Sequence, residues 1–403
     1  MEKLVVKIEK LDHQGRGIAR INGIPVFIEN ALINEVVEIE ITNKKKNYME
    51  GKVVDYLETS SNRIKPKCPY FKECGGCDIM NLSYEDQLKY KEEKTKEILS
   101  KFANINNINK IISSCQFYYR NKLTLQVKKS IGLYKRKSYD LIPIEKCYIT
   151  DDKINKIISL LKKINLDNIK QIVIRVSKKD SMIVFYIKDD IKINLDSFED
   201  ISTIITIKNK NQKILKGQGY IIEELLGLKF IISPTSFFQV NNLGMTNLYN
   251  QILKYLNLKG NEQVLDLYCG TGSIGLYLAK YCKNVLGIEI NSEAIKDANK
   301  NKKINQIFNI NFQIGDVSQI LQKNNFNPDV IIVDPPRAGL DTITLDKIMK
   351  LNPEKLIYVS CDPITLARDL NILKTRFDIK EITPVDMFGN TYHVETVCVL
   401  ERR

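Results

Sequence analysis

The chain has 403 residues, enough for two or three domains with cores of their own. Its apolar fraction of 43% and charged fraction of 27% are those of an ordinary folded protein, and no stretch approaches the roughly 18 apolar residues of a membrane span. The formal net charge of +13 fits an acidic polymer as partner, nucleic acid above all. The same richness in Lys, Asn and Ile, with no Trp, is also what an AT-rich genome produces, so charge alone decides nothing.

The amino terminus, Met1-Glu2-Lys3-Leu4-Val5-Val6-Lys7, alternates like a strand and lacks the apolar core of a signal peptide, which predicts a cytoplasmic protein. Residues 1–58 read as a small β module. Apolar or alternating runs (Leu4–Ile8, Ile24–Ile28, Val36–Ile41, Gly51–Tyr56) are separated by the turn signals Gly15-Arg16-Gly17 and Asn22-Gly23. Lys44-Lys45-Lys46 decorates one connection. A short barrel with such a rim offers an RNA-binding surface, although a solvated lysine loop has the same composition.

A second region, residues 59–232, opens on a polar linker and the run Cys68-Pro69-Tyr70-Phe71-Lys72-Glu73-Cys74-Gly75-Gly76-Cys77. A charged amphipathic helix follows. Ser83 stands three residues before Asp86 at capping-box spacing, with Tyr84, Leu88 and Ile98 on its apolar face. Strands such as Leu123–Val127 and Gln171–Val176 dominate the rest. From residue 233 to 403 strands and helices alternate, with strands at Gln263–Leu267, Asn284–Ile290, Ile310–Ile314, Asp329–Val333 and Lys355–Val359. This is the pattern of a doubly wound α/β domain. Tyr392–Leu400 reads as a closing strand.

Nine cysteines in a reducing compartment are poor disulfide candidates. Cys115, Cys269, Cys282 and Cys398 read as small core residues. Cys68, Cys74, Cys77 and the distant Cys147 offer four thiolates, which suit zinc or an iron–sulfur cluster, while a Cys-x2-Cys pair alone also serves as a redox dithiol. The three-plus-one spacing fits a [4Fe–4S] cluster better than the paired spacing of zinc ribbons, and a structural or RNA-orienting role better than a redox one.

Gly270-Thr271-Gly272-Ser273-Ile274-Gly275 follows a strand and opens a helix, a weak nucleotide-site signal by itself. Its context sharpens it. Asp266 precedes the glycines, Glu289 ends the next strand about 20 residues on, where an acid can bind ribose hydroxyls, and Gly315-Asp316 ends the third, where an adenine would lie. This succession resembles the S-adenosylmethionine pocket of class I methyltransferases more than a nicotinamide site.

Two further strand ends carry chemistry. Asp334-Pro335-Pro336-Arg337 is a relative of the Asp-Pro-Pro-Tyr motif with Arg in place of the aromatic, and Ser360-Cys361-Asp362-Pro363 ends the next strand. Methyl transfer to nitrogen needs no thiol, but transfer to C5 of a pyrimidine does. A thiolate added to C6 makes C5 nucleophilic, and a base must then remove the C5 proton. Cys361 is the thiol candidate, Asp334 can accept from N3–H, Gln239 can contact base or donor, and Glu395, an acid in an apolar strand, is the base candidate. A lone strand-end cysteine or acid is usually structural; here both coincide with the methyl-donor pocket. His393 is assigned a structural role.

All these pieces in this order resemble the bacterial RNA uracil-5 methyltransferases, the 23S ribosomal RNA 5-methyluridine branch in particular, over nearly the whole chain. The resemblance implies an N-terminal TRAM domain (1–58), a central domain with the cluster cysteines (59–232) and a Rossmann-like catalytic domain (233–403), with the helix near 80–110 packing on the catalytic domain. It implies that Gln239, Tyr268, Gly270, Gly272, Ser273, Glu289, Asp316 and Asp334 line the cofactor and uracil site. Cys361 would be nucleophile, Glu395 proton acceptor, and Cys68, Cys74, Cys77 and Cys147 cluster ligands. Tyr119-Arg120-Asn121-Lys122 matches a segment at the family's RNA surface. The implied substrate is 23S ribosomal RNA, acted on by a monomer; a transfer RNA uridine, or RNA binding without catalysis, are the rival readings. The family commonly has Asn where Asp362 stands and Pro where Gly389 stands. A carboxylate beside the thiol would disfavour the thiolate unless it points away.

Overall fold

The computed structural model describes residues 3–323 and 327–403. The first six strands are β1 (Lys3–Lys7), β2 (Lys10–Leu11), β3 (Gly17–Ile21), β4 (Ile24–Glu29), β5 (Val36–Lys44) and β6 (Met49–Glu58). They form one sheet in the order β1-β5-β6-β4-β3-β2. Alternate residues turn inward, as a half-buried strand requires, so that Val6, Ile8, Val26, Ile28, Val37 and Ile39 share a core.

Helix α1 (Tyr84–Ala103) is capped by Ser83, whose hydroxyl accepts from the Asp86 amide. Its buried face differs from the expected one. Leu88 is half-buried, while Gln87, Tyr90, Lys91, Lys94 and Thr95 join Ile98 and Leu99 inside. The polar members are buried because they meet partners from two directions. Lys91 Nζ lies 2.5 Å from Asp386 Oδ1, and Tyr90 donates to the Asp12 carbonyl at 2.7 Å. Ile98, Leu99 and Ala103 enter the core beneath the C-terminal sheet, and α1 packs along the helix that follows Cys361.

The central sheet contains β7 (Lys122–Val127), β8 (Ile131–Tyr134), β9 (Leu141–Pro143), β10 (Ile169–Val176), β11 (Ser181–Ile187), β12 (Thr203–Lys208) and β13 (Asn211–Lys216), with α2 (Asp152–Leu161) between β9 and β10. It is covered on both faces. Ile172, Ile174, Ile183 and Phe185 pack towards α2, while Val173, Met182 and Val184 join a core shared with the C-terminal region. The hairpin β14 (Ile221–Leu225) and β15 (Leu228–Ile232) belongs to that shared core.

The C-terminal region runs α3 (Asn242–Leu256), β16 (Gln263–Leu267), α4 (Ser273–Leu278), β17 (Asn284–Glu289), α5 (Ser292–Ile304), β18 (Ile310–Ile314), α6 (Val317–Lys323), β19 (Val330–Val333), α7 (Thr342–Leu351), β20 (Lys355–Ser360), α8 (Pro363–Leu373), β21 (Phe377–Val385) and β22 (Glu395–Arg402). Its sheet order is β18-β17-β16-β19-β20-β22-β21, parallel through β20 and antiparallel at β22. Strand β21 escapes a sequence reading because a bulge between Ile379 and Glu381 breaks its alternation. Successive strands are added to one side of β16 as far as β18 and to the other side from β19 on, and that switch between β16 and β19 opens the crevice where such sheets bind ligands.

Candidate active site

The parallel strands β16 to β20 all end at one edge, and β22, running the other way, begins there. That single fact gathers Tyr268, Glu289, Asp316, Asp334, Cys361 and Glu395 along one line. Ser360 pairs with Thr396 across β20 and β22, so the next residue of each chain in that direction is Cys361 facing Glu395.

The loop after β16 is shaped by backbone. Tyr268 (φ 63°), Gly270 (φ 55°) and Gly272 (φ 76°) all lie in the left-handed region, an expensive choice for tyrosine that functional loops retain. A side chain at Gly272 would stand 2.5 Å from Phe312 Cζ, whereas at Gly270 it would meet open space. The Gly270 amide donates to Glu289 Oε2 at 3.1 Å, the Gly275 amide to Asp266 Oδ2 at 3.0 Å, and Ser273 Oγ lies 2.6 Å from the Tyr249 hydroxyl. Asp266 Oδ1 is buried without a partner. Asp316 is tied to its own turn, accepting from Ser318 Oγ at 2.5 Å and the Gln319 amide at 3.1 Å.

Gln239 sits half-buried in the connection between β15 and α3. Three elements hold that connection. Arg175 of β10, 2% exposed, donates to the carbonyls of Ser236 and Phe238; Asp297 of α5 accepts from the Ser233 amide at 3.1 Å and hydroxyl at 2.7 Å; Asn121 donates its amide to Val240. Phe237, between them, is 69% exposed.

The electrostatics at the Cys361 end are those of a dry, acidic corner. Burial pushes Asp334 up to about 7. Burial, then the charge of Asp334, pushes Glu395 up to about 8, with Arg337 opposing. Burial, then Glu395 and Asp334, pushes Cys361 up to about 12, again with Arg337 opposing. At neutral pH Cys361 is therefore a thiol and Glu395 largely protonated. Arg337 is the functional side chain that sequence reading passed over. It was visible only as the departure from Asp-Pro-Pro-Tyr, and its effect on both groups depends on the fold. Asp362 caps α8, with Oδ1 accepting the Ile364 amide at 2.8 Å, and its charge adds a smaller push on the Cys361 thiol in the same direction as Glu395 and Asp334.

The sequence profile of the tRNA (uracil-5-)-methyltransferases matches residues 83–403, and that of the TRAM domain matches residues 2–54. This chain belongs to the RNA (uracil-5-)-methyltransferase family. A Clostridium tetani protein described as an uncharacterized RNA methyltransferase is 36% identical over 430 residues, covering 96% of this chain and 94% of the relative. A Staphylococcus aureus protein so described is 35% identical over 433 residues, covering 96% of each. The crystal structure of Pyrococcus abyssi tRNA (uracil-54, C5)-methyltransferase in complex with S-adenosyl-L-homocysteine superposes with a TM-score of 0.83 at 26% identity, covering 98% of this chain and 100% of that one. The protein is thus an RNA methyltransferase with an α/β catalytic fold and an N-terminal TRAM domain.

In this methyltransferase the four remote cysteines also converge. Cys68, Cys74, Cys77 and Cys147 line one cavity of about 460 Å³ between the Cys68–Cys77 loop and the central sheet. Burial pushes Cys68 up to about 11, with the charges of Cys147 and Cys74 adding to it, and burial likewise raises Cys77, with Cys147, Cys74 and Cys68 adding. The Gly76 amide donates to Cys74 Sγ at 3.4 Å. Among the described residues no group of three or more His, Cys, Asp or Glu is placed to hold a metal ion. Gly389 is explained by packing: a side chain there would meet the Cys115 carbonyl at 2.5 Å. Cys269, Cys282 and Cys398 are buried and Cys115 half-buried. No helix among the described residues is long and apolar enough to cross a membrane.

Proposed function

We propose that the enzyme methylates C5 of a uridine in RNA through a covalent intermediate on Cys361. The observation that carries this is the cross-strand placement of Cys361 and Glu395 at the sheet edge that also holds Asp334 and the glycine loop. S-adenosylmethionine, when bound, supplies a methyl group on a sulfonium. The glycine loop, with its open space at Gly270 and the orphaned Asp266 Oδ1, fits that cation; Tyr268, Ser273, Glu289, Asp316 and Gln239 would complete its holding. Cys361 loses its proton to solvent and its Sγ adds to C6, Asp334 holds the ring at N3–H, C5 takes the methyl group from the sulfonium, Glu395 in its ionised form removes the C5 proton, and the thiolate leaves as the C5–C6 double bond re-forms. The charges of Glu395 and Asp334 oppose a thiolate and Arg337 favours it, so the thiol proton must leave against that opposition, and Glu395 must be ionised by the time it takes the C5 proton.

In this reading residues 1–58 grip RNA, 59–232 carry the cysteines, and 233–403 perform the chemistry. The three-plus-one spacing of Cys68, Cys74, Cys77 and Cys147, which line one cavity, is what favours a [4Fe–4S] cluster over zinc in this reading. Iron and acid-labile sulfide in anaerobically purified protein test this; stoichiometric zinc would reject it. The cysteine-bearing central region with a TRAM domain supports 23S ribosomal RNA as substrate. A transfer RNA uridine is the second reading, favoured by the Pyrococcus abyssi neighbour. Mapping 5-methyluridine in RNA from cells lacking the gene separates the two. The mechanism is tested with RNA carrying 5-fluorouridine, in which fluorine cannot leave as a proton. Wild type with the methyl donor should accumulate a covalent adduct and Cys361→Ala none; an undiminished adduct with Cys361→Ala refutes the nucleophile.

A further inference from the structure

The protein has only two histidines, 380 residues apart in sequence, and both line one small cavity beside the nucleophile. That cavity, of about 60 Å³, is walled by His13 from the loop between β2 and β3, Lys94 of α1, Arg337, His393, the carboxylate residue Asp362, and Cys361 with the start of α8. Four stretches of the chain thus contribute basic side chains to a space that suits a group of a few heavy atoms, such as a phosphate.

Basic groups are crowded there, and among the described residues Asp362 is the one carboxylate in the wall. Lys94 donates to the His13 carbonyl at 3.3 Å and to the Tyr392 carbonyl, which ties the β2–β3 loop to the segment ahead of Glu395. Arg337 Nη2 lies 3.4 Å from His393 Nε2. Burial and then Lys91 push Lys94 down to about 7; burial and then Arg337, Lys94 and Lys91 push His393 down to about 4. Of the acids that reach Lys94, Asp362 lines the cavity itself, while Asp78 and Asp12 are engaged elsewhere. Asp362 caps α8, Asp78 pairs with Arg136 at 2.7 Å, and Asp12 accepts from Arg16 Nε at 2.8 Å and from the amides of Gln14 and Arg16 at 2.9 and 2.8 Å. An anion seated there would favour the charged forms of Lys94 and His393, which burial and their basic neighbours now hold back.

We propose that this cavity seats a backbone phosphate of the RNA, adjacent to the uridine that Cys361 attacks, so that the TRAM loop carrying His13 forms part of the active site. This rests on Cys361 as nucleophile, which fixes where the uridine must lie. The phosphate would hold the nucleotide by its backbone while the base is out of its stack, a contact independent of sequence.

The two imidazoles are the probe. In full-length protein labelled at histidine Cε1, inorganic phosphate and uridine 5′-monophosphate should shift both resonances saturably, uridine should shift neither, and His393 should titrate at higher pH when phosphate is bound. Arg337 is exposed, so Arg337→Gln should keep the fold and weaken phosphate roughly tenfold; Lys94→Met should do the same if it folds. No saturable shift at phosphate on the order of tens of millimolar, a shift confined to exposed His13, or an unchanged affinity in Arg337→Gln would each overturn the site. A 5-fluorouridine adduct formed without phosphate binding refutes this site and leaves the nucleophile standing. Phosphate binding without an adduct refutes the nucleophile and with it the assignment of that phosphate to the target uridine.

Discussion

Cys361 should be unusually inert in the resting enzyme, and Glu395→Gln should release it only at high pH. A free cysteine titrates near 8.5, and Cys361 is pushed up to about 12. The gap removes roughly 3,000-fold of the thiolate at neutral pH. The more basic thiolate is faster per molecule, by roughly 40-fold at a Brønsted coefficient of about 0.45. Alkylation by iodoacetamide should therefore run about two orders of magnitude slower than with free cysteine. Glu395 repels the thiolate only when ionised, and it titrates at about 8. The Gln variant should match wild type near pH 6 and be alkylated several-fold faster above about pH 9. Mass spectrometry of the Cys361 peptide across pH measures this without substrate or donor. A wild-type midpoint near 8.5, or a Gln variant equally accelerated at every pH, would show that this corner is neither dry nor coupled as described.

Glu395→Gln should also change stability with a defined sign. Its folded pKa of about 8 lies above the ordinary 4.5, so the folded state holds this proton more tightly than the unfolded one. That contribution is complete below about pH 4.5 and is lost as pH rises through about 8, by an amount on the order of 5 kcal/mol; the variant should melt above wild type at pH 8.5 and not at pH 5. Lys91→Met should cost about 3–5 kcal/mol in urea unfolding, because it leaves Asp386 buried and uncompensated, and adding Asp386→Asn should recover part of it. Gly272→Ala combines a φ of 76° with a 2.5 Å approach to Phe312, and should destabilise by about 1–3 kcal/mol while weakening S-adenosylhomocysteine measured by calorimetry. Unchanged binding in that variant would remove the loop from the cofactor site.

The sequence by itself determined the strand–helix alternation, the glycine loop, the acids at the strand ends and the Ser83 cap. Each follows from local chemistry: apolar runs for strands buried on both faces, positive φ for glycine, a hydroxyl for free helix amides. Even β16 and β18 were legible to the residue, since nothing distant sets their ends. Only the tertiary structure decided which of those ends meet. The antiparallel insertion of β22 beside β20 places Glu395 opposite Cys361, the polar face of α1 is buried because Asp386 and the β2–β3 loop close over it, and two histidines at opposite ends of the chain come to share one cavity. Spacing in sequence carries no information about such meetings, because they are set by sheet order and by the burial of side chains whose partners lie hundreds of residues away.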